Sequence, residues 1–187
     1  IYYAVSSDGG RSFATERKIV DHTCECCQIA LALDGEGRVQ ALWRNVFSVQ
    51  IRDHALAVSM RHMAWFSVVN GRADVYYSRL DANGKPDGER WAFAATGSAG
   101  TQASHAALLA SGSTLWLAWK DFDGDTMRIL VRRSDDGGRH WSAPRELAQT
   151  AGGSDNPQLI DDAGRVYLSW RTQYDGYMLL PTDEEWK

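Results

Sequence analysis

The segment Ser134-Asp135-Asp136-Gly137-Gly138-Arg139-His140-Trp141 decides the fold of this chain. A strand-like run, residues 127–133, precedes it, and another extended piece starts at Ser142. Glycine accepts positive φ, and Asp and Ser side chains hydrogen-bond nearby backbone N–H groups. The closing Trp can fold back as an apolar plug. The segment therefore predicts a tight turn between two strands of a hairpin.

A second copy stands near the start of the sequence, as Ser6-Ser7-Asp8-Gly9-Gly10-Arg11-Ser12-Phe13. Both copies read Ser-x-Asp-x-Gly-x-x-aromatic and lie between strand-like runs. A third segment, residues 78–84 leading to Trp91, looks like a lengthened, degenerate copy. This pattern resembles the Asp box, or BNR repeat, of sialidase-like β-propellers. The resemblance implies that fold, in which the box is a turn that staples two strands and not a catalytic element.

Composition agrees with an all-β protein. The chain has 187 residues, 44% of them hydrophobic, with eight Trp, 17 Gly and a net charge of −4. It is long enough to bury a sizeable core, and nothing in its charge favours a nucleic-acid partner. No apolar run is long enough to span a bilayer. The sequence opens in mid-strand at residues 1–5, which predicts a fragment, and the resemblance implies a periplasmic or extracellular location.

A repeat of about fifty residues runs along the chain, the period of a four-stranded propeller blade. A strand ending in Trp recurs at Trp43, Trp65, Trp119 and Trp170. The first interval is short by about thirty residues, which predicts a gap between Ser59 and Met60. We predict one domain over residues 1–187, an incomplete sialidase-like six-bladed β-propeller with four to five blades represented. A closed six-bladed ring would need roughly 300 residues.

The resemblance also sorts the loops into two faces and implies a ligand site near the central axis, on the face away from the Asp boxes. The segments assigned to this face are residues 21–27, 44–53, 70–74, 96–105, 120–126, 149–156 and 171–177. Nearly every unusual residue of the sequence falls in this set.

The cysteines form the most unusual of these segments, since all three stand within four positions. In an extended strand, His22, Cys24 and Cys26 would share one side, and Cys27 the other. Soft and borderline ligands of this kind suit Cu(I) or Zn(II), with His54 as a further ligand. A disulfide to a cysteine outside the sequence, or ordinary buried thiols, explains the same residues. The sequence leaves these alternatives open.

Arginines make up a second group on this face. Sialidases clamp the sugar carboxylate with three arginines, and the residues best placed for that role are Arg44, Arg52 and Arg171. Asp53 is the matching candidate for the general acid. A salt-bridged loop is the alternative interpretation of the same charges.

Two classes of function remain. The first is an exo-glycosidase or glycan-binding protein acting on acidic sugars, although only Tyr174 and Tyr177 lie on the right face for the sialidase nucleophile, and neither matches a motif. The second is a non-catalytic extracytoplasmic propeller that binds copper or zinc through its cysteines. A protein-interaction scaffold is the alternative to both. The partner we expect is a glycan or another small acidic ligand.

Overall fold

The computed structural model shows an all-β protein. It describes residues 1–23, 29–33, 36–46, 52–56, 62–69, 72–81, 85–88, 91–93 and 102–183. None of these residues is helical, and the strands they form pair antiparallel. A search of this part of the chain for an apolar helix long enough to cross a membrane finds none. The predicted all-β class is confirmed.

The chain divides into two compact units. The first unit contains Ile1–Met60 and Ala82–Gly84, and the second contains Arg61–Asp81 and Lys85–Lys187. A closed six-bladed ring in a single domain stays a prediction. The predicted gap after Ser59 lies outside the described residues.

The first unit contains two small sheets. Strands β1 (Tyr2–Tyr3) and β2 (Arg17–Lys18) pair with each other, and β3 (Ala30–Leu33), β4 (Val39–Val46) and β5 (Arg52–Leu56) form a sheet in chain order. The strands expected at residues 26–34, 38–44 and 50–59 are therefore present, with shifted ends.

The second unit contains three sheets. One sheet consists of β6 (His62–Val69), β7 (Arg72–Arg79) and β8 (Trp91–Ala92), and a second of β9 (Gln102–Ser111), β10 (Thr114–Phe122), β11 (Met127–Ser134) and β12 (Arg145–Thr150). The third consists of β13 (Gln158–Asp162), β14 (Arg165–Thr172) and β15 (Gly176–Pro181). The β9–β12 sheet has four strands, the number that the fifty-residue repeat predicts for one repeat unit.

Strand β10 is buried on both faces, because the β9–β12 sheet lies between the other two sheets of its unit. Alternate residues of a strand point to opposite faces. One row, Leu115, Leu117 and Trp119, packs on Val75, Tyr77 and Phe93. The other row, Trp116 and Ala118, packs with Ile129 and Val131 on Val166, Leu168 and Trp170. The core of the second unit is thus a stack of three sheets.

The turn at residues 134–141 has the predicted hydrogen bonds. Ser134 Oγ donates to Asp136 Oδ1 at 2.9 Å and accepts from the Gly138 N–H at 2.9 Å. Asp136 Oδ1 also accepts from the N–H groups of Arg139 and His140, at 3.0 and 2.9 Å. Two short side chains thereby satisfy three backbone donors.

The turn at residues 6–13 repeats the same bonds. Ser6 Oγ donates to Asp8 Oδ1 at 2.8 Å and accepts from the Gly10 N–H at 2.8 Å. Asp8 Oδ1 accepts from the N–H groups of Arg11 and Ser12, both at 3.0 Å. The prediction of one turn in two copies is confirmed.

The closing aromatic residue differs between the two turns. Trp141 lies edge-on to Tyr77 and Phe93, with ring centroids 4.8 and 5.2 Å away, and so acts as the predicted plug. Phe13 is 64% exposed. In the third segment, Ser78 Oγ donates to the Arg79 carbonyl at 2.9 Å, and residues 82–84 lie outside the described residues.

Asp136 gives a pH-dependent prediction. The backbone and side-chain hydrogen bonds from His140, with the bond from Ser134, hold the pKa of Asp136 well below its ordinary value. A carboxylate of lowered pKa adds stability that is complete above the unfolded-state pKa of about 3.9 and is lost as the pH falls from there through the lower, folded-state pKa. We expect Asp136→Asn to lower Tm by several degrees at pH 7 and by less at pH 3.

Thermal melts at both pH values test this expectation. Asp125→Asn is the control, since Asp125 is an exposed residue whose carboxylate has no hydrogen-bond partner among the described side chains. A Tm deficit of Asp136→Asn that is equal at both pH values would contradict the role assigned to the ionised carboxylate.

Candidate functional site

The end of β10 away from the turn at residues 134–141 carries a buried polar cluster. We expected a loop from residue 120, but β10 continues to Phe122. Lys120 and Asp121 are therefore strand residues, 7% and 3% exposed. Successive positions alternate between faces, so Lys120 extends the row of Trp116 and Ala118. The charged side chain of Lys120 therefore lies on the same face of β10 as the core residues Trp116 and Ala118.

Lys120 reaches from its sheet to the loop before β13. Its Nζ donates a hydrogen bond to the Ser154 carbonyl oxygen at 3.1 Å. Burial lowers the pKa of Lys120, and the nearby charge of Asp155 opposes this shift. An ammonium has three donors, and a buried charge is costly unless it is paired. The Ser154 carbonyl and the nearby Asp155 charge offset part of that cost.

A β-bulge lies beside Lys120. Lys120 pairs with Ser104 and Ala118 pairs with Ala107, so two residues of β9, His105 and Ala106, stand opposite one residue of β10. His105 has φ 50°, in the left-handed region that is unusual for residues other than glycine. Bulges redirect side chains and occur often beside functional sites.

The bulge brings His105 into the electrostatic range of Lys120. His105 is an exposed residue, yet partial desolvation lowers its pKa, and the Lys120 charge lowers it further. Both effects favour the neutral imidazole, which is an uncharged hydrogen-bonding group at neutral pH. The cluster therefore combines one buried cation with a neutral histidine.

Strand β14 fixes the loop that carries Ser154. The Asp155 N–H donates to the Arg171 carbonyl at 2.9 Å, and Trp170 Nε1 donates to the Asp155 carbonyl at 2.9 Å. Ser154 also forms a β-bridge with Thr172. These bonds hold the Ser154 carbonyl in place opposite Lys120.

Arg171, one of the predicted clamp residues, lies at this cluster through its backbone. Its side chain is exposed, and it alternates along β14 with Trp170 and Thr172, which are buried. Because adjacent strand positions face opposite ways, Arg171 belongs to the solvent face of the sheet and Lys120 to the interior between sheets.

The other predicted clamp residues belong to the first unit. Arg44 pairs with His54, and the neighbouring pairs place Arg52 opposite Val46 and Asp53 opposite Asn45. Both ends of the segment 44–53, which the resemblance assigned to the ligand face, lie in strands. Positions 52 and 53 of a regular strand belong to opposite faces, so the backbone does not direct Arg52 and Asp53 to one ligand. The side chains themselves lie outside what the structure describes.

Cys24, Cys26 and Cys27 lie outside the described residues. His22 is described, and its φ of 59° is not extended backbone, so the predicted alternation from His22 to Cys26 is wrong at its first residue. The described His, Cys, Asp and Glu residues contain no group of three or more that could hold a metal ion. A copper or zinc site at the cysteines stays a prediction.

Sequence reasoning did not select the residues of this cluster as site residues. Lys120 had one usable signal, because it stands two positions after Ala118 in an alternating strand pattern where a core residue is expected. The bulge at His105 has no comparable signal, since it depends on how β9 and β10 pair.

Comparisons with known proteins include a weak structural similarity. No family model matches the chain, and no curated protein matches it. An endo-arabinase from Bacteroides thetaiotaomicron is similar in structure with a TM-score of 0.41 and 14% sequence identity. The match covers 82% of this chain and 54% of that one, so the chain spans about half the length of the endo-arabinase structure.

Proposed function

We propose that this protein is an extracytoplasmic Asp-box β-propeller of six blades that binds an acidic sugar, with the ammonium of Lys120 as the anchor for the sugar carboxylate. The two turns with identical Ser and Asp hydrogen bonds support the propeller family. The observation that carries the ligand assignment is the buried Lys120 ammonium, whose acceptor among the described residues is the neutral Ser154 carbonyl.

A carboxylate ligand would give Lys120 an ionic partner that accepts a hydrogen bond directly. Two opposite charges in such a bond attract each other more strongly than an ammonium and a neutral carbonyl do. The interaction gains further strength because a partly desolvated pair has a lower effective dielectric constant than water. Asp155 raises the pKa of Lys120 against the larger effect of burial, which keeps an ammonium available for the ligand.

Binding is better supported than hydrolysis. Glycosidases place two carboxyl groups about 5–9 Å apart on either side of the scissile bond. Asp121, a buried carboxylate of this cluster, belongs to the opposite face of β10 from Lys120. Cleavage of the bound sugar is therefore not part of the proposal.

Isothermal titration with glucuronic acid and N-acetylneuraminic acid tests the proposal. We expect Lys120→Met to weaken binding by ten- to a hundredfold, the loss of one charge-assisted hydrogen bond of about 1.5–3 kcal/mol. Lys85→Met, at an exposed residue of the same unit, is the charge-matched control and should bind normally. Absence of binding to both sugars, or full affinity in folded Lys120→Met, would overturn the proposal.

The pH dependence gives a second readout of the same variant. The anchor must be charged, and the pKa of Lys120 lies below the ordinary lysine value of about 10.4. Affinity should therefore fall on the alkaline side at a pH below 10.4, and the residual affinity of Lys120→Met should not follow this curve.

A further inference from the structure

We propose that Tyr174 is the platform on which the ring of the acidic sugar stacks, so that the site selects cyclic sugar acids over open-chain acids of the same charge. This inference rests on the proposed function. Tyr174 is 70% exposed and lies at the tip of the β14–β15 hairpin, next to the loop that carries Ser154.

The Tyr174 ring packs against the glycine loop. A Cβ added at Gly152 would stand 2.9 Å from Tyr174 Cε2 and 3.0 Å from Cδ2, so an alanine there would displace the ring. The Gly153 N–H donates to Gln173 Oε1 at 3.2 Å, and the Gln173 N–H donates to the Gly153 carbonyl at 2.8 Å. Both bonds join Gln173 to Gly153, so the hairpin tip and the loop are bound together beside the ring.

The hairpin tip is itself internally bonded. Thr172 Oγ1 donates to Asp175 Oδ2 at 2.8 Å and accepts from the Asp175 N–H at 2.9 Å. Gly176 closes the tip with φ 71°. A large aromatic side chain that is mostly exposed on a well-bonded hairpin tip offers an apolar surface at low entropic cost.

The platform and the anchor border the same short loop. Tyr174 contacts Gly152, and Lys120 binds the carbonyl of Ser154, two residues further along the chain. These two loop positions are at most about 7 Å apart. We expect a sugar acid lying along this loop to place its carboxylate toward Lys120 and its C–H face on Tyr174. An open-chain acid can reach Lys120 but presents no flat face.

Two ligands separate this inference from the proposed function. Titration with glucuronic acid and with gluconic acid, its open-chain relative, measures the contribution of the ring. We expect Tyr174→Ala to weaken the binding of glucuronic acid by about five- to tenfold, as for the loss of one aromatic contact. The affinity for gluconic acid should not change. Tyr174→Phe keeps the ring and should bind both acids normally. Lys120→Met should weaken both.

Neighbouring glycines supply a matched pair of positioning variants. Gly152→Ala pushes the Tyr174 ring away and should weaken the binding of glucuronic acid in the same way as Tyr174→Ala. Gly153→Ala has 3.7 Å to its nearest neighbour, Gln173 Oε1, and should have no effect. Unchanged melting temperatures for all four Tyr and Gly variants establish that each is folded.

The outcomes are distinct. If Lys120→Met loses binding of glucuronic acid and Tyr174→Ala does not, the platform role of Tyr174 is overturned and the proposed function stands. Equal weakening of both acids in Tyr174→Ala also overturns the platform, because an open-chain acid does not stack. Full affinity of both acids in Lys120→Met overturns the proposed function and, with it, this inference.

Discussion

Replacing Gly138 by alanine is expected to destabilise the protein by about 3 kcal/mol, through backbone strain and overpacking together. Gly138 has φ 80°, and a Cβ at this position would stand 1.8 Å from the hydroxyl oxygen of Tyr77 and 2.6 Å from its ring. Tyr77 is fully buried, so it cannot move aside without opening the core. Urea denaturation followed by tryptophan fluorescence measures the loss.

Two other glycines separate strain from overpacking. Gly137 has φ 69° and Gly10, in the same turn position as Gly138, has φ 86°, and a Cβ at either would meet nothing within 4 Å. Alanine at these positions should cost about 1–2 kcal/mol, the strain of a left-handed residue alone. If Gly138→Ala lowers the free energy of unfolding no more than Gly137→Ala and Gly10→Ala do, the expected overpacking against Tyr77 is absent.

Tyr77 explains why this turn has a structural effect beyond its own hairpin. Its hydroxyl lies 2.7 Å from His62 Nδ1, and burial raises the pKa of Tyr77 far above its ordinary value, so the phenol stays neutral. The ring also contacts Trp141. Within the second unit, the turn therefore staples the β9–β12 sheet to the β6–β8 sheet, and its glycine is required for the close approach.

Local chemistry made the all-β class and the turns predictable. The turns follow from Ser, Asp and Gly at fixed offsets, which act within a few residues, and β11 has the predicted end at Ser134 because the turn begins there. Strand ends without such a signal were misplaced. Strand β10 continues past Lys120 because neighbouring sheets cover the whole strand, which is a tertiary effect.

The candidate site was less predictable for the same reason. The sequence suggested Arg44, Arg52 and Arg171 as ligand-binding residues because a forked guanidinium suits a carboxylate. Arg171, however, lies on the solvent face of its sheet. Lys120 looked like ordinary surface charge. Its importance depends on burial, on the bulge at His105 and on a carbonyl 34 positions away, none of which a local pattern encodes.

Trp170 links the core of the second unit to the proposed site. Its truncation to alanine, like Gly138→Ala, should greatly lower the free energy of unfolding. Its side chain is 1% exposed and packs in the cluster that contains Val166 and Leu168. We expect Trp170→Ala to cost about 3–5 kcal/mol of unfolding free energy, the usual loss for a buried aromatic residue. Urea denaturation checks this value.

Trp170→Phe separates the two roles of the residue. Phenylalanine keeps much of the packing but loses the Nε1 hydrogen bond to the Asp155 carbonyl, worth about 1 kcal/mol. Since Asp155 follows the residue whose carbonyl faces Lys120, the loop should loosen and glucuronic acid should bind more weakly than the modest change in stability explains. Stability reduced by about 1 kcal/mol with unchanged affinity would mean that the loop is held by its backbone bonds to β14, and that Trp170 serves the core alone.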